Sequence, residues 1–371
     1  MNSEVLQENF SKALLTASRF ASQKAQLPVL GNILLSASKN KLLIASTNLE
    51  VSVAISIGAK VKKEGSLTIP SRTVTDLISN LIPGALTLEV DKEQLQITTA
   101  NFSSTLSGIN PSDFPEIPLN IEKRSLNLPK EEFSTALSQV SFSASIDETR
   151  PILTGVLFIF KKGSLTLVAT DGFRLSQKRI VLKEASEEKK VILPKSALSE
   201  LLRLLGEEES VQLSFHDEDN QVVFGVGDTI LSSRTLEGNF PDFERIIPKD
   251  LGIKILVDKE DLLRAVKLAS VFARDSANIV KFFLAKEYVN ILAESQNSGK
   301  QETRIESKLE GSLPQGGFEI AFNYRFLEEF LHAVSGEDVS IGFSNPNAPG
   351  VFTDPSDPTF LHLIMPVKVQ G

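Results

Sequence analysis

The chain of 371 residues contains no cysteine. Disulfides, thiolate zinc sites and thiol nucleophiles are therefore excluded, and the absence fits a reducing cytoplasm. No apolar run approaches the ~18 residues of a membrane-spanning helix. The opening residues, MNSEVLQENFSK, lack the basic stretch and apolar core of a secretory signal, so none is expected. The three histidines, His216, His332 and His362, stand in separate contexts without ligand spacing, and no metal site is expected. There is no GxxxxGK[ST] phosphate loop and no strand-linked GxGxxG; Gly225-Val226-Gly227-Asp228 reads as a strand bend with a turn. No cofactor is expected. The net charge of −8 argues against a simple basic nucleic-acid binder.

What is present is a soluble-type composition, 41% hydrophobic and 23% charged, in a chain too long for one core. It also repeats itself. Phe10 to Ile57 and Phe133 to Ile180 both open Phe-Ser-x-Ala-Leu. Both run through a Pro and then a Gly, two strands, and a Thr followed by an amide or acid. A weaker third copy starts near Asp261. The second halves match as well: Ser66 onward ends in PSDFPEIP, Lys190 onward ends in NFPDFERIIP, and Gly317 onward runs to the C-terminus. Such repetition predicts three similar domains, 1–123, 124–249 and 250–371, with Pro118, Pro129 and Pro248 near the joins.

Each third carries two short amphipathic helices. Phe10, Leu14, Ala17 and Ala21 share one face; so do Leu198, Leu201, Leu202 and Leu205, and Phe326, Leu327, Phe330 and Leu331. The spans expected are 7–24, 71–82, 130–144, 195–205, 258–275 and 323–334. Stretches such as Leu86 to Val90 and Val211 to Phe215 alternate apolar and polar residues, as strands with one buried face do. The expected class is α+β, with two helices packed on antiparallel sheets in each domain.

One stretch exceeds what folding requires. Arg150 to Ser176 reads as two strands around a Lys161-Lys162-Gly163-Ser164 turn, then a Thr170-Asp171-Gly172 turn, then Phe173-Arg174-Leu175. An aromatic, a cation and a leucine directed outward from a tight turn would make a pocket wall. Asp171 could be imagined as the base of a hydrolase, but a turn aspartate capping backbone N–H groups is the preferred reading. The acidic run His216 to Asn220 lacks the glycine and later glutamate of a calcium loop and reads as a hairpin turn.

Several motifs in order carry a family likeness: LPVLGNILL (27–35), TNLE (47–50), RPILTGVLF (150–158), VATDGFRLS (168–176), GNFPDFERIIP (238–248) and LIMPVKV (363–369). Together with the threefold repeat they resemble, over the whole chain, the bacterial β sliding clamps, the processivity subunits of DNA polymerase III. The resemblance implies a head-to-tail homodimeric ring around duplex DNA, with helices lining the hole and sheets on the rim. It implies no active site. It also implies as partners the polymerase III α subunit, an ATP-driven clamp loader, and other polymerases and repair proteins that dock short linear peptides.

Carried onto this chain, the resemblance implies a peptide pocket of Arg150, Ile152, Leu153, Thr170, Gly172, Phe173, Arg174, Leu175, Pro241, Arg245, Ile246, Leu363, Ile364, Met365, Pro366 and Val367. DNA contacts are expected from Lys12, Arg19, Lys24, Arg72, Lys195, Arg203, Arg264 and Lys267, with Tyr324-Arg325 as the third-domain counterpart of Arg72 and Lys195. The helical stretches carry a slight positive balance and the rest of the chain the acid. Asp258 and Glu260 are read as helix caps. Such contacts should be phosphate contacts, because base readout would stop sliding. Edge-strand pairing of first and third domains is expected from Phe102, Leu106 and Ile109, with Val271 and Phe272 in support. The pattern departs in two places: Phe173 stands where the family commonly has His, and Lys368 replaces a usual Arg before two extra residues. The alternative to a clamp is a protein–protein scaffold of the same repeats that never encircles DNA.

Overall fold

The computed structural model describes residues 1–22, 27–183, 187–206 and 208–368. It forms two compact units. The first comprises Met1–Lys130 and Ser196–Thr235, the second Glu131–Lys195 and Leu236–Gly371. The units therefore cut through the middle sequence repeat. The reason lies in the sheets, which cross from one repeat to the next.

Six α-helices are present among the described residues: α1 (Gln7–Ala17), α2 (Ser71–Ser79), α3 (Lys130–Ser141), α4 (Lys195–Leu204), α5 (Lys259–Ala273) and α6 (Tyr324–Ala333). Each begins directly after a strand, in two cases under a side-chain cap. The Asp258 carboxylate accepts the Asp261 N–H (2.9 Å) at α5, and the Asn323 side chain accepts the Arg325 N–H (3.0 Å) at α6. α1 is shorter than expected. Ser18 turns its hydroxyl back to the Leu15 carbonyl (2.9 Å), and a 3-10 turn over Ser18–Phe20 drops Phe20 into the core.

In the first unit, a five-stranded sheet runs in the order 60–63, 2–6, 85–91, 94–98, 103–107. An eight-stranded sheet runs 126–129, 210–216, 221–226, 229–234, 51–58, 41–47, 32–38, 65–70. α1 packs on α2, and the Gln7 amide donates to the Ile78 carbonyl (2.8 Å). In the second unit, a nine-stranded sheet runs 189–194, 155–161, 164–170, 174–181, 357–364, 350–354, 338–343, 253–258, 308–311. A four-stranded sheet runs 299–306, 288–295, 279–284, 318–323. α5 packs on α6 over a phenylalanine-rich core in which Phe282 meets Phe322 edge to face (5.6 Å). All strand pairings among the described residues are antiparallel, as expected.

The long sheets hold the organising feature. In the first unit, strand Val51–Gly58 of the first repeat pairs with Thr229–Arg234 of the second, from Thr229 opposite Ile55 to Ser233 opposite Val51. In the second unit, Arg174–Val181 of the second repeat pairs with Asp357–Ile364 of the third, from Arg174 opposite Ile364 to Lys178 opposite Phe360. Two repeats thus join by lending each other an edge strand.

Candidate functional site

The turn at Thr170–Gly172 is built by its own side chains. The Thr170 hydroxyl donates to the Arg174 carbonyl (2.6 Å) and accepts the Gly172 N–H (3.1 Å). Asp171 Oδ1 accepts the N–H groups of Phe173 (2.9 Å) and Arg174 (3.1 Å), and its Oδ2 takes Arg174 Nε (3.1 Å). Both carboxylate oxygens are engaged, which leaves a hydrolytic base no support here. Gly172 has φ +94°, and a Cβ there would sit 3.5 Å from the Arg150 guanidinium. The first repeat builds the same turn with Asn48, whose Oδ1 accepts from Glu50 (3.0 Å) and Val51 (2.8 Å), and with Leu49 in Gly172's place at φ 76°.

The three residues after the turn do not all face outward, contrary to expectation. Phe173 does, at 61% exposure. Arg174 and Leu175 are buried and, being consecutive in a strand, point to opposite faces of the sheet. Arg174 points to the helix side. It ion-pairs with Asp171 and Glu329, donates to the Phe142 carbonyl (2.8 Å) and lies over the Phe326 ring (4.5 Å). Leu175 faces the other way. With Leu157, Val168, Phe243, Val351 and Leu363 it forms an apolar cluster on which Ile152 and Phe240 pack. Ile364, opposite Arg174, joins the third-repeat core rather than that cluster. Arg174 and Ile364 therefore leave the cleft, and Thr170 spends its hydroxyl on the turn.

Around the Leu175–Leu363 floor the accessible residues are arranged as follows. Arg150 bridges the Asp147 carboxylate (3.0 Å) and the Asp171 carbonyl (3.3 Å). Ile152 and Leu153 are half-buried; Pro241, Arg245 and Ile246 are exposed, with Arg245 held by Asp242 (2.6 Å). The Met365 N–H donates to the Phe173 carbonyl (2.8 Å), and the Val367 N–H to the Ala321 carbonyl (2.8 Å). Those two bonds lay the tail Met365-Pro366-Val367 along a hollow of about 740 Å³ shared with Lys281, Glu319, Pro346 and Asn347. Phe240 and Phe243 were not among the expected cleft residues, although both stand in the NFPDFERIIP motif.

Beneath the corner lies a buried polar layer that sequence reasoning missed. The Ser143, Ser176 and His362 side chains form a chain of hydrogen bonds (2.8 and 2.7 Å), and His362 stacks on Phe330. Burial first, and the Arg174 cation second, push the His362 pKa well below its usual 6.5. Lys178 pairs with Asp357. Burial acts to raise the Asp357 pKa, but bonds from Lys178 and Thr359 outweigh it and leave the pKa lowered.

The expected DNA-facing cations divide. Lys12 and Lys267 are exposed. Arg72 lies 3.8 Å from Asp76, and Arg264 3.3 Å from Asp261, each on its own helix. Arg19 and Arg203 share Glu200. Lys195 is half-buried: desolvation first, and Arg174 second, lower its pKa. Arg325 is exposed at the start of α6. Lys24 lies outside the described residues.

Of the expected interface residues, Phe102 and Leu106 are half-buried on one face of strand 103–107, which ends its sheet with an open edge among the described residues. Phe102 lines a hollow of about 640 Å³ with Arg72, Asp76, Leu77 and Leu81. Ile109 is bridged to Thr68 through both backbone groups. Val271 is 59% exposed on α5, and Phe272 packs on the third-repeat core. No described helix is long and apolar enough to cross a membrane.

Known proteins match this architecture from end to end. The family descriptions of the DNA polymerase III beta subunit match in three pieces: the N-terminal domain over residues 1–118, the central domain over 127–242 and the C-terminal domain over 244–368. A beta sliding clamp of Staphylococcus epidermidis is 29% identical over 380 aligned positions, covering 99% of each chain. The solved sliding clamp of Bacillus subtilis shares the fold with a TM-score of 0.94 at 24% identity, both chains covered in full. The DNA polymerase III beta chain of Streptococcus pneumoniae gives a TM-score of 0.92 at 27% identity, covering 99% of this chain and 100% of that one. By this evidence the chain belongs to the DNA polymerase III beta subunit family, the bacterial sliding clamps.

Proposed function

We propose that two copies of this chain close head to tail into a ring around duplex DNA and tether the replicative polymerase to it. The observation that carries the reading is the pair of repeat junctions. Each repeat offers a strand after its turn (51–58, 174–181, 299–306) and a receiving strand late in its sequence (103–107, 229–234, 357–364). Two of the three offers are met inside the chain. Strand 299–306 and strand 103–107 remain, open at the ends of their sheets. A second copy satisfies both, and twofold closure then leaves neither edge exposed.

The work of a clamp is mechanical and needs no active site. The helix cations supply sequence-independent phosphate attraction that permits sliding. Lys12, Arg72, Arg203, Arg264 and Lys267 are the best placed by exposure; Lys195 serves the Arg174 cluster. Replication and repair proteins, and the clamp loader, dock a short peptide on the Leu175–Leu363 floor. Phe173, Ile246 and Met365 are its walls, and Arg150 and Arg245 are cations at its rim. The three segments matched as domains, 1–118, 127–242 and 244–368, are the ring's repeating units.

Light scattering at micromolar concentration tests the assembly. A closed ring of two copies has twice the chain mass of 40.6 kDa. A stable monomer under those conditions supports instead a scaffold that never encircles DNA.

A further inference from the structure

The two internal junctions share one register. Helices α2, α4 and α6 follow Pro70, Pro194 and Asn323, which pair with Asn32, Gly155 and Ile279. Counting along the next hairpins makes Ser52, Leu175 and Lys300 equivalent, since they face Thr47, Thr170 and Glu294. On the receiving side, Leu6, Pro129 and Asp258 precede α1, α3 and α5 and pair with Ala85, Ser210 and Asp338. Counting from there makes Ser104, Leu231 and His362 equivalent. Both internal junctions obey this equivalence: Ser52 lies opposite Ser232, and Leu175 opposite Leu363.

Applied to the two open edges, the same register sets Leu106 opposite Gly299, Thr105 opposite Lys300, Ser104 opposite Gln301, Ser103 opposite Glu302 and Phe102 opposite Thr303. The faces agree. Phe102, Ser104 and Leu106 are the more buried residues of one edge; Gln301, Thr303 and Ile305 are those of the other. Ser103, Thr105, Lys300 and Glu302 are all exposed. A slip of one residue would mismatch every face.

Gln301 adds an independent observation. Its amide nitrogen donates to the Thr303 hydroxyl, but its Oε1 is buried with no hydrogen-bond partner among the described residues. An unpaired buried amide oxygen is unfavourable. In the second junction the equivalent position is Ser176, whose hydroxyl bonds His362 across the seam (2.7 Å). Because Phe173 accepts from Met365 there, Ser176–His362 is a non-hydrogen-bonded backbone pair, the class in which side chains approach most closely.

We propose that the subunit seam closes in this register, with the Ser104 hydroxyl of one copy donating to Gln301 Oε1 of the other. The proposal rests on the dimeric reading above and specifies its chemistry. In this register the outer row Lys300, Glu302, Arg304 and Glu306 lies opposite Thr105, Ser103, Asn101 and Thr99, which are uncharged polar side chains rather than opposite charges. Lys300 already faces Glu302 on its own strand (4.0 Å). The seam is therefore held by backbone bonds, the Ser104–Gln301 rung and apolar contacts, not by strand-to-strand ion pairs.

The cysteine-free chain makes the test clean. A Ser104→Cys/Gln301→Cys double variant has Cα atoms about 4.5 Å apart in this register, within disulfide reach. Mild oxidation should convert most of it to covalent dimer on a non-reducing gel. A Ser104→Cys/Lys300→Cys control, one residue out of register, should stay uncrosslinked. Separately, Ser104→Ala should weaken the dimer by about fivefold, while raising salt from 50 to 500 mM should change its Kd by less than about threefold. Crosslinking of the control in preference to the first pair overturns the register, as does no crosslinking of either in a chain that scatters as a dimer. An unchanged Kd for Ser104→Ala overturns the rung. A chain that scatters as a monomer throughout fails the ring reading itself.

Discussion

Arg174 and Leu175 are adjacent in the chain and face opposite sides of one sheet, Arg174 into a cage of Asp171, Glu329, Phe142 and Phe326, and Leu175 into an apolar cluster with Leu157, Val168, Phe243, Val351 and Leu363. One dipeptide thereby serves two structures. The cation fixes the turn that presents Phe173, while the leucine forms part of the apolar floor on which the proposed peptide would rest.

The two residues should separate on mutation. Arg174→Ala leaves the Asp171 carboxylate without its cation and should destabilise the chain by about 3 kcal/mol, read as a lower urea midpoint. Leu175→Ala opens a cavity and costs about 2–4 kcal/mol, with loss of peptide affinity as well. Equal urea midpoints for wild type and Arg174→Ala would contradict the cage.

Phe173 offers a cleaner probe, because its ring is mostly exposed and its removal should leave stability within about 0.5 kcal/mol. Isothermal titration with a polymerase-derived peptide should show roughly a tenfold loss of affinity for Phe173→Ala. Phe173→His restores the residue common in the family and should favour peptides that present a hydrogen-bond acceptor at that wall. Unchanged affinity in both variants would remove Phe173 from the docking surface.

Stability should fall with pH in a defined window. Burial and Arg174 hold the His362 pKa well below 6.5 in the fold, whereas the unfolded chain takes up that proton near 6.5. The unfolded state then binds more protons. The neutral imidazole's contribution is complete above pH 6.5 and declines as pH falls below it, by up to about 1.4 kcal/mol per pH unit. Asp357 has a lowered pKa and adds its own loss only below about 4. Denaturant unfolding of His362→Gln between pH 6.5 and 5 should show a flatter slope by about one proton; parallel curves would contradict the assignment.

The cations should differ in DNA binding. Lys12→Ala and Lys267→Ala should each lower the slope of log affinity against log salt by about one, if each makes one phosphate contact. Lys195→Ala should leave that slope unchanged, because Lys195 is half-buried beside Arg174. A slope change for Lys195→Ala as large as for Lys12→Ala would reverse this ordering.

The repeats, the α+β class and the helix faces were legible because periodicity reports burial directly. Phe10, Leu14 and Ala17 are all buried, as their spacing implied. Asp171 was legible as a turn cap because Thr-Asp-Gly specifies its own hydrogen bonds. Arg174 was misread as a wall because its partners Phe142 and Glu329 are distant in sequence. Strand alternation alone, counted from Gly172, would have turned it away from Leu175. The joining of repeats through shared sheets was not legible within any one repeat, since each edge strand finds its partner in the next. The Gln301–Ser104 register was hidden further, because five residues separate Glu294 from its partner Lys300, whereas four separate Thr170 from Leu175 and Thr47 from Ser52.

Retention on DNA tests the central claim most directly. The chain, loaded on nicked circular duplex, should remain bound through gel filtration at high salt and be lost within the same time once the circle is cut. Topological linkage predicts that difference regardless of affinity. Loss from circular and linear DNA at equal rates would contradict the sliding clamp.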